Sequence, residues 1–233
     1  MPALRGALST LPTVAVMAAL LLLPAGLLQG VWTWPEAWVF VAVVGTASAT
    51  ANALMATLRP DSYRVRRQGY TAWKKRQPLI DAVGLPVYMG VLLGWLAFIP
   101  LDVFRFHLAP APTPAIEALG ASLTLAGLAI AYVAIAQNRF AAPTIHDQGA
   151  EGQEVIQSGL YGVVRHPFYA GMLLVYPGTA LWLGSYAAAI GSVAFLALTL
   201  ARIVVEERYL RDQLADYADY ARRVRFRLIP TLL

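Results

Sequence analysis

Runs of about twenty apolar residues, separated by short polar or charged segments, recur along nearly the whole chain. A helix needs about 20 mostly apolar residues to cross the hydrocarbon core of a bilayer. Segments of that kind fall at about 12–31, 35–58, 79–103 and 116–136. The apolar stretch 168–205 is too long for one span, and Gly184-Ser185 divides it into arms of about 168–183 and 186–205. In lipid every backbone polar group must be satisfied within the chain, which leaves helices or closed barrels, and continuous apolar runs of this length select helices. The prediction is an all-α polytopic membrane helical bundle. It has about six transmembrane helices, or five plus a re-entrant arm, because the first arm of the last hairpin is short. Composition agrees: 58% of residues are hydrophobic and 13% are charged, about half the charged share of soluble domains.

Charge placement orients the bundle. Arg59, Arg64, Arg66, Arg67, Lys74, Lys75 and Arg76 crowd one loop against Asp61. Basic loops stay on the cytoplasmic side. Counting outward from this one puts both termini, the loop 139–167 and the tail on that same side. Trp32, Trp34 and Trp38 then fall near the opposite boundary, as interfacial anchors. The net charge of +5 is spent at the ends of apolar runs, the pattern of membrane topology and not of a nucleic-acid-binding face. Arg5 followed by the apolar run 11–28 resembles a signal peptide, but no A-x-A site follows and the next segment is itself membrane-like. It is read as a retained first helix. The whole chain, 1–233, reads as one integral membrane domain, with a four-helix region 1–136 and a core 137–233. Its predicted home is a bacterial cytoplasmic membrane, or the endoplasmic reticulum in a eukaryote.

Two clusters in the core carry potential chemistry. Arg165-His166-Pro167 stands where the chain enters the last hairpin, and Glu206-Glu207 where it leaves. The hairpin returns both to one face of the bilayer. Proline is tolerated at the start of a helix and pushes the preceding residue out of helical geometry, so Pro167 is expected to open the fifth span. The free N–H groups there would favour an anionic group, and Arg165 would add a planar donor fork. Tyr161, Tyr169, Tyr217 and Tyr220 surround these clusters and could form aromatic walls for a flat ring or a cation. The tail beyond Arg202 places Glu207 and Arg211 at helical spacing, which extends the last helix past the membrane. Asp81 is expected to pair with Lys74, Lys75 or Arg76. His107, His146 and His166, with Asp147, lack metal-ligand spacing, so no metal site is expected. The chain has no cysteine, which removes thiolate ligands and a cysteine nucleophile.

Taken in order, Gly159-Leu160-Tyr161, Arg165-His166-Pro167-Phe168-Tyr169, Gly171, Glu206-Glu207, Tyr217, Tyr220, Arg222-Arg223-Val224 and Pro230 resemble the isoprenylcysteine carboxyl methyltransferase family, which is related to the membrane phospholipid N-methyltransferases. The resemblance covers about 153–230. It implies a membrane methyltransferase that uses S-adenosylmethionine at the cytoplasmic face. The cofactor-binding set would be Gln153, Tyr161, Arg165, His166, Pro167, Tyr169, Glu206 and Glu207. A lipophilic or small acceptor bearing a carboxylate, thiol or amine would arrive from the bilayer, and Arg202 or Arg222 would orient it if acidic. Arg165 and Arg202 are the residues assigned to catalysis. Family members often carry His where this chain has Gln153, and other residues where it has Leu160, Gly162 and Val163. Glu207→Ala is expected to abolish cofactor binding and leave the fold intact. Two rival readings are an NADPH-dependent membrane lipid reductase, whose members are generally longer, and a non-catalytic membrane protein that retains the fold. The acceptor's identity and the oligomeric state are not legible in the sequence.

Overall fold

The computed structural model describes residues 1–69, 79–141 and 152–231. His146, Asp147, Trp73, Lys74, Lys75, Arg76 and the side chain of Asp81 lie outside the described residues. Every regular element described is helical. In chain order these are α1 (Pro2–Leu8), α2 (Leu11–Leu23), α3 (Pro35–Leu58), α4 (Pro60–Gly69), α5 (Leu79–Leu101), α6 (Pro114–Gln137), α7 (Pro167–Trp182), α8 (Tyr186–Gly191), α9 (Val193–Gln213) and α10 (Tyr217–Arg223). Proline is the first residue of α1, α3, α4, α6 and α7. Its missing N–H costs nothing at a position that has no helical partner, and its fixed φ suits the first turn.

Five stretches are long and apolar enough to cross a membrane: Pro2–Leu28, Pro35–Leu58, Val83–Phe106, Pro114–Gln137 and Tyr186–Gln213. The polytopic helical bundle expected from the apolar runs is the fold observed. The first helical stretch starts earlier than expected, at Pro2. Its regular α-helix is interrupted between α1 and α2, where the Ser9 and Thr10 hydroxyls donate back to the carbonyls of Gly6 and Ala7 at 2.7 Å each. The last arm divides at Ser192 into α8 and α9, then runs on to Gln213.

The short arm is α7, with 16 residues, or about 24 Å of helix. Its two ends nevertheless lie at opposite ends of the bundle. At the start, Phe168 sits beneath the Arg66 guanidinium of α4, 5.1 Å from the ring centroid. Past the far end, Gly184 turns the chain at φ +91, and Ser185 donates to Asp102 Oδ2 at 2.6 Å. The other Asp102 oxygen accepts the Leu108 N–H at 3.0 Å, and Trp34 meets Phe104 edge-on nearby at 5.0 Å.

Glycines fix α7 against α6. A Cβ at Gly127 would lie 2.5 Å from the Gly171 carbonyl oxygen, and one at Gly178 would lie 2.8 Å from that of Gly120. Small residues let two backbones approach this closely where lipid supplies no hydrophobic driving force between helices. The main apolar core, including Leu21, Ala25, Trp34, Phe40, Ile99, Leu183 and Ala188, occupies the half of the bundle that holds Asp102. The opposite half ends in arginines. Many large apolar side chains elsewhere, such as Leu27, Leu58, Val83 and Ile190, are exposed, as lipid-facing positions must be in a bundle that spans a bilayer.

Candidate functional site

The Arg165-His166-Pro167 turn is built as Pro167 demands. Pro167 opens α7, and His166 before it takes φ −127, ψ 61, outside helical geometry. This leaves the backbone N–H groups of Arg165 and His166 without helical acceptors. They donate to the carbonyls of Phe226 and Arg227, both at 2.9 Å. The segment 224–228 therefore lies along the turn as a strap. The buried Arg165 guanidinium completes the junction. Its Nη1 donates to the carbonyls of Val224 and Arg225 at 2.7 and 2.8 Å, and its Nε donates to Glu207 Oε1 at 2.7 Å.

Glu207 is the centre of this network. Its side chain is 1% exposed. Besides Arg165, its oxygens face His166 Nε2 at 3.3 Å, Arg211 Nη2 at 3.2 Å and Arg227 Nη2 at 3.2 Å. A buried carboxylate is tolerable only when its charge and lone pairs are met, and here three guanidiniums meet them. Removing one partner of a buried ion pair leaves the others uncompensated and typically costs about 3–5 kcal/mol. This revises the expectation that Glu207→Ala would spare the fold, because four side chains, from the Arg-His-Pro turn, α9 and the strap, converge on it.

Glu206 differs. Its side chain is 27% exposed. Tyr169 Oη donates to Glu206 Oε2 at 2.8 Å, and Arg202 Nε donates to Tyr169 Oη at 2.9 Å. His166 bridges the two carboxylates, with Nδ1 3.9 Å from Glu206 Oε1. The site thus has an inner layer of Arg165, His166 and Glu207, and an outer layer of Glu206, Tyr169 and Arg202.

Three further tyrosines back the cluster. Tyr220 Oη donates to the Tyr161 carbonyl at 2.8 Å, which ties α10 to the turn Gly159–Gly162 that precedes the Arg-His-Pro run. Burial, aided by the negative charge of Glu206, pushes the Tyr161 phenol up to about 12. Burial also pushes up Tyr217, and the charges of Glu207 and Glu206 add to the effect. Tyr217 Oη is buried with no hydrogen-bond partner among the described residues. A buried hydroxyl without a protein partner keeps its donor available.

The structure therefore brings together Tyr161, Arg165, His166, Pro167, Tyr169, Arg202, Glu206 and Glu207. Gln153 is half-buried on the approach to the Gly159–Gly162 turn, and no hydrogen bond joins it to the cluster among the described residues. Arg222 is exposed and pairs with Asp219. Sequence reasoning missed Arg227 and the strap that carries it. The available signal was the alternation Val224-Arg225-Phe226-Arg227-Leu228, a period of two that marks an extended segment. No group of three or more His, Cys, Asp or Glu side chains able to hold a metal occurs among the described residues.

Comparison with known proteins bears on the same segment. Residues 116–216 match the family described as phospholipid methyltransferase. No curated protein and no solved structure gives a significant match. The match takes in α6, the glycine-packed α6–α7 pair, the Arg-His-Pro turn and the Glu pair, and stops just short of Tyr217 and the strap. Residues 116–216 of this chain are thus similar to the phospholipid methyltransferase family, to which the isoprenylcysteine carboxyl methyltransferases are related.

Proposed function

We propose that the protein is an S-adenosylmethionine-dependent membrane methyltransferase. It acts on a lipophilic or small acceptor that presents a carboxylate, thiol or amine, and the cofactor enters from the basic, cytoplasmic side. The observation that carries this reading is the two-layer cluster at the membrane boundary. Within it, the half-open Glu206 carboxylate, the Arg202–Tyr169 pair and the unpartnered Tyr217 hydroxyl lie around a rigid ion network.

The donor set suits that cofactor. Glu206 can accept from an ammonium or from ribose hydroxyls, Tyr217 can donate to a heteroatom, and Arg202 can meet a carboxylate. The tyrosine rings favour a nearby cation such as a sulfonium. When bound, S-adenosylmethionine supplies an activated methyl group, which an acceptor lone pair takes while the sulfur keeps the electron pair of the broken C–S bond. The chain's own contribution is positional. Arg165, Glu207 and Arg227 hold the Arg-His-Pro turn and the end of α9 in fixed register. Tyr169 couples Arg202 to Glu206, so that a positive group stands beside the carboxylate and can orient an acidic acceptor. Alignment and exclusion of water then account for most of the rate, with no dedicated base required for a carboxylate or thiolate acceptor. Gln153 would take part by hydrogen bonding from the approach segment.

The test is calorimetry on detergent-purified protein with S-adenosylmethionine and its demethylated product, with NADPH as control. Micromolar binding of the first two and none of NADPH is the expected result. Preference for NADPH would move the chain to the reductases, and binding of none of them would favour a fold kept without catalysis.

A further inference from the structure

A second basic feature lies apart from this cluster, on the N-terminal helices. An open groove of about 640 Å³ is lined by Arg5, Leu8, Ser9, Pro12, Tyr63 and Arg67. Tyr63 holds its two walls together. Its hydroxyl donates to the Arg5 carbonyl at 3.3 Å and accepts from Arg67 Nη1 at 3.4 Å. Among the described residues no carboxylate lines the groove. Asp61, the acid of α4, is engaged by Arg64 at 3.2 Å. Two exposed arginines, Arg5 and Arg67, therefore line one groove with a hydroxyl and two apolar side chains, at the level where the apolar α2 begins.

We propose that this groove binds the phosphate-bearing headgroup of an anionic bilayer lipid. Arg5 and Arg67 present planar donor forks that match phosphate oxygens. Leu8 and Pro12 supply an apolar wall for the glycerol and the start of an acyl chain. A soluble phosphate would use only the arginines, whereas a lipid uses both halves of the lining. The location suits a lipid, because basic residues beside a membrane helix attract anionic headgroups over a short range. A bound headgroup would also steady α4, whose Arg66 lies over Phe168, the residue that follows Pro167. The proposal does not depend on the methyltransferase reading.

The full chain in neutral detergent is titrated with dioleoyl phosphatidylglycerol. Dioleoyl phosphatidylcholine serves as the zwitterionic probe and inorganic phosphate as the soluble one, and bound lipids are counted by native mass spectrometry. The wild type should retain phosphatidylglycerol over phosphatidylcholine. The pair Arg5→Gln and Arg67→Gln should weaken phosphatidylglycerol binding about tenfold or more, from roughly fivefold per guanidinium. The pair Arg59→Gln and Arg64→Gln removes the same charge outside the groove and should change binding by less than about twofold. Equal losses in both pairs would assign the effect to diffuse surface charge and overturn the proposal. So would a lack of preference for phosphatidylglycerol, or its displacement by equimolar inorganic phosphate. If the glutamine pair lowers the thermal midpoint without lipid, Arg5→Lys with Arg67→Lys replaces it. That pair keeps the charge and removes the forks, so a severalfold loss is expected, and unchanged affinity would overturn the proposal.

Discussion

Among the described residues the bundle buries one carboxylate at each end, and the two are satisfied in opposite ways. Asp102 meets neutral donors, the Ser185 hydroxyl and the Leu108 N–H, one for each oxygen. Glu207 meets three guanidiniums and an imidazole. The first arrangement is closed: it staples the end of α5 to the turn after α7 and needs nothing more. The second is built with more cation than one carboxylate requires, and it carries beside it a carboxylate that stays partly open. Burial of an acid thus serves two purposes in one chain. At the Asp102 end it joins helices; at the Glu207 end it also backs the partly open Glu206, where the proposed cofactor would bind.

The widest separation between the two ends is expected on removal of each acid. Glu207→Ala should lower stability by about 3–5 kcal/mol, read as a thermal or chemical unfolding shift in detergent. Asp102→Ala, which strands one hydroxyl and one N–H, should cost about 1–3 kcal/mol. Equal shifts would remove the distinction. A second test separates the frame from the ligand surface within the Glu pair. Glu206→Gln keeps an acceptor for Tyr169 and should leave stability within about 1 kcal/mol. It should weaken S-adenosylmethionine binding about tenfold or more, as loss of a charged hydrogen bond does. Calorimetry and an unfolding curve on the same variant decide it, and a stability loss matching that of Glu207→Ala would place both acids in the frame. An effect on stability comparable to that of Asp102→Ala is expected from Gly171→Ala. The added Cβ would sit 2.5 Å from the Gly127 carbonyl oxygen, so α6 and α7 must part slightly, at a cost of about 1–3 kcal/mol. Because Gly171 lies one turn beyond the Arg-His-Pro junction, cofactor affinity should fall with stability in this variant.

What the sequence made legible follows from locality. Apolar runs marked the spans, prolines marked helix starts, and Gly184-Ser185 marked the turn of the last hairpin, because each acts within a few residues. Return of Arg165 and Glu207 to one end of the bundle followed from the hairpin alone. The Asp102–Ser185 bond joins residues far apart in the chain and has no local signature. The same is true of Arg227, whose side chain reaches Glu207 only because the strap pairs with the backbone of the Arg-His-Pro turn. Full burial of Glu207 was also illegible, since a Glu-Glu pair at the end of an apolar run reads equally well as a solvated helix face. The interruption of the helix at Ser9-Thr10 goes with side-chain hydroxyls bonding to helix carbonyls, which the apolar count does not register.

The strap has a consequence for the order of assembly. Its residues, 224–228, are synthesised after every helix described here. A chain elongating from its N-terminus can insert and pair its membrane helices while Arg165 and Glu207 still lack the carbonyls and the guanidinium that the strap delivers. Until those residues emerge, the inner layer is an incomplete charge cluster exposed at the membrane surface. Closing it must follow synthesis of those helices, so the inner layer is complete only once the strap has docked.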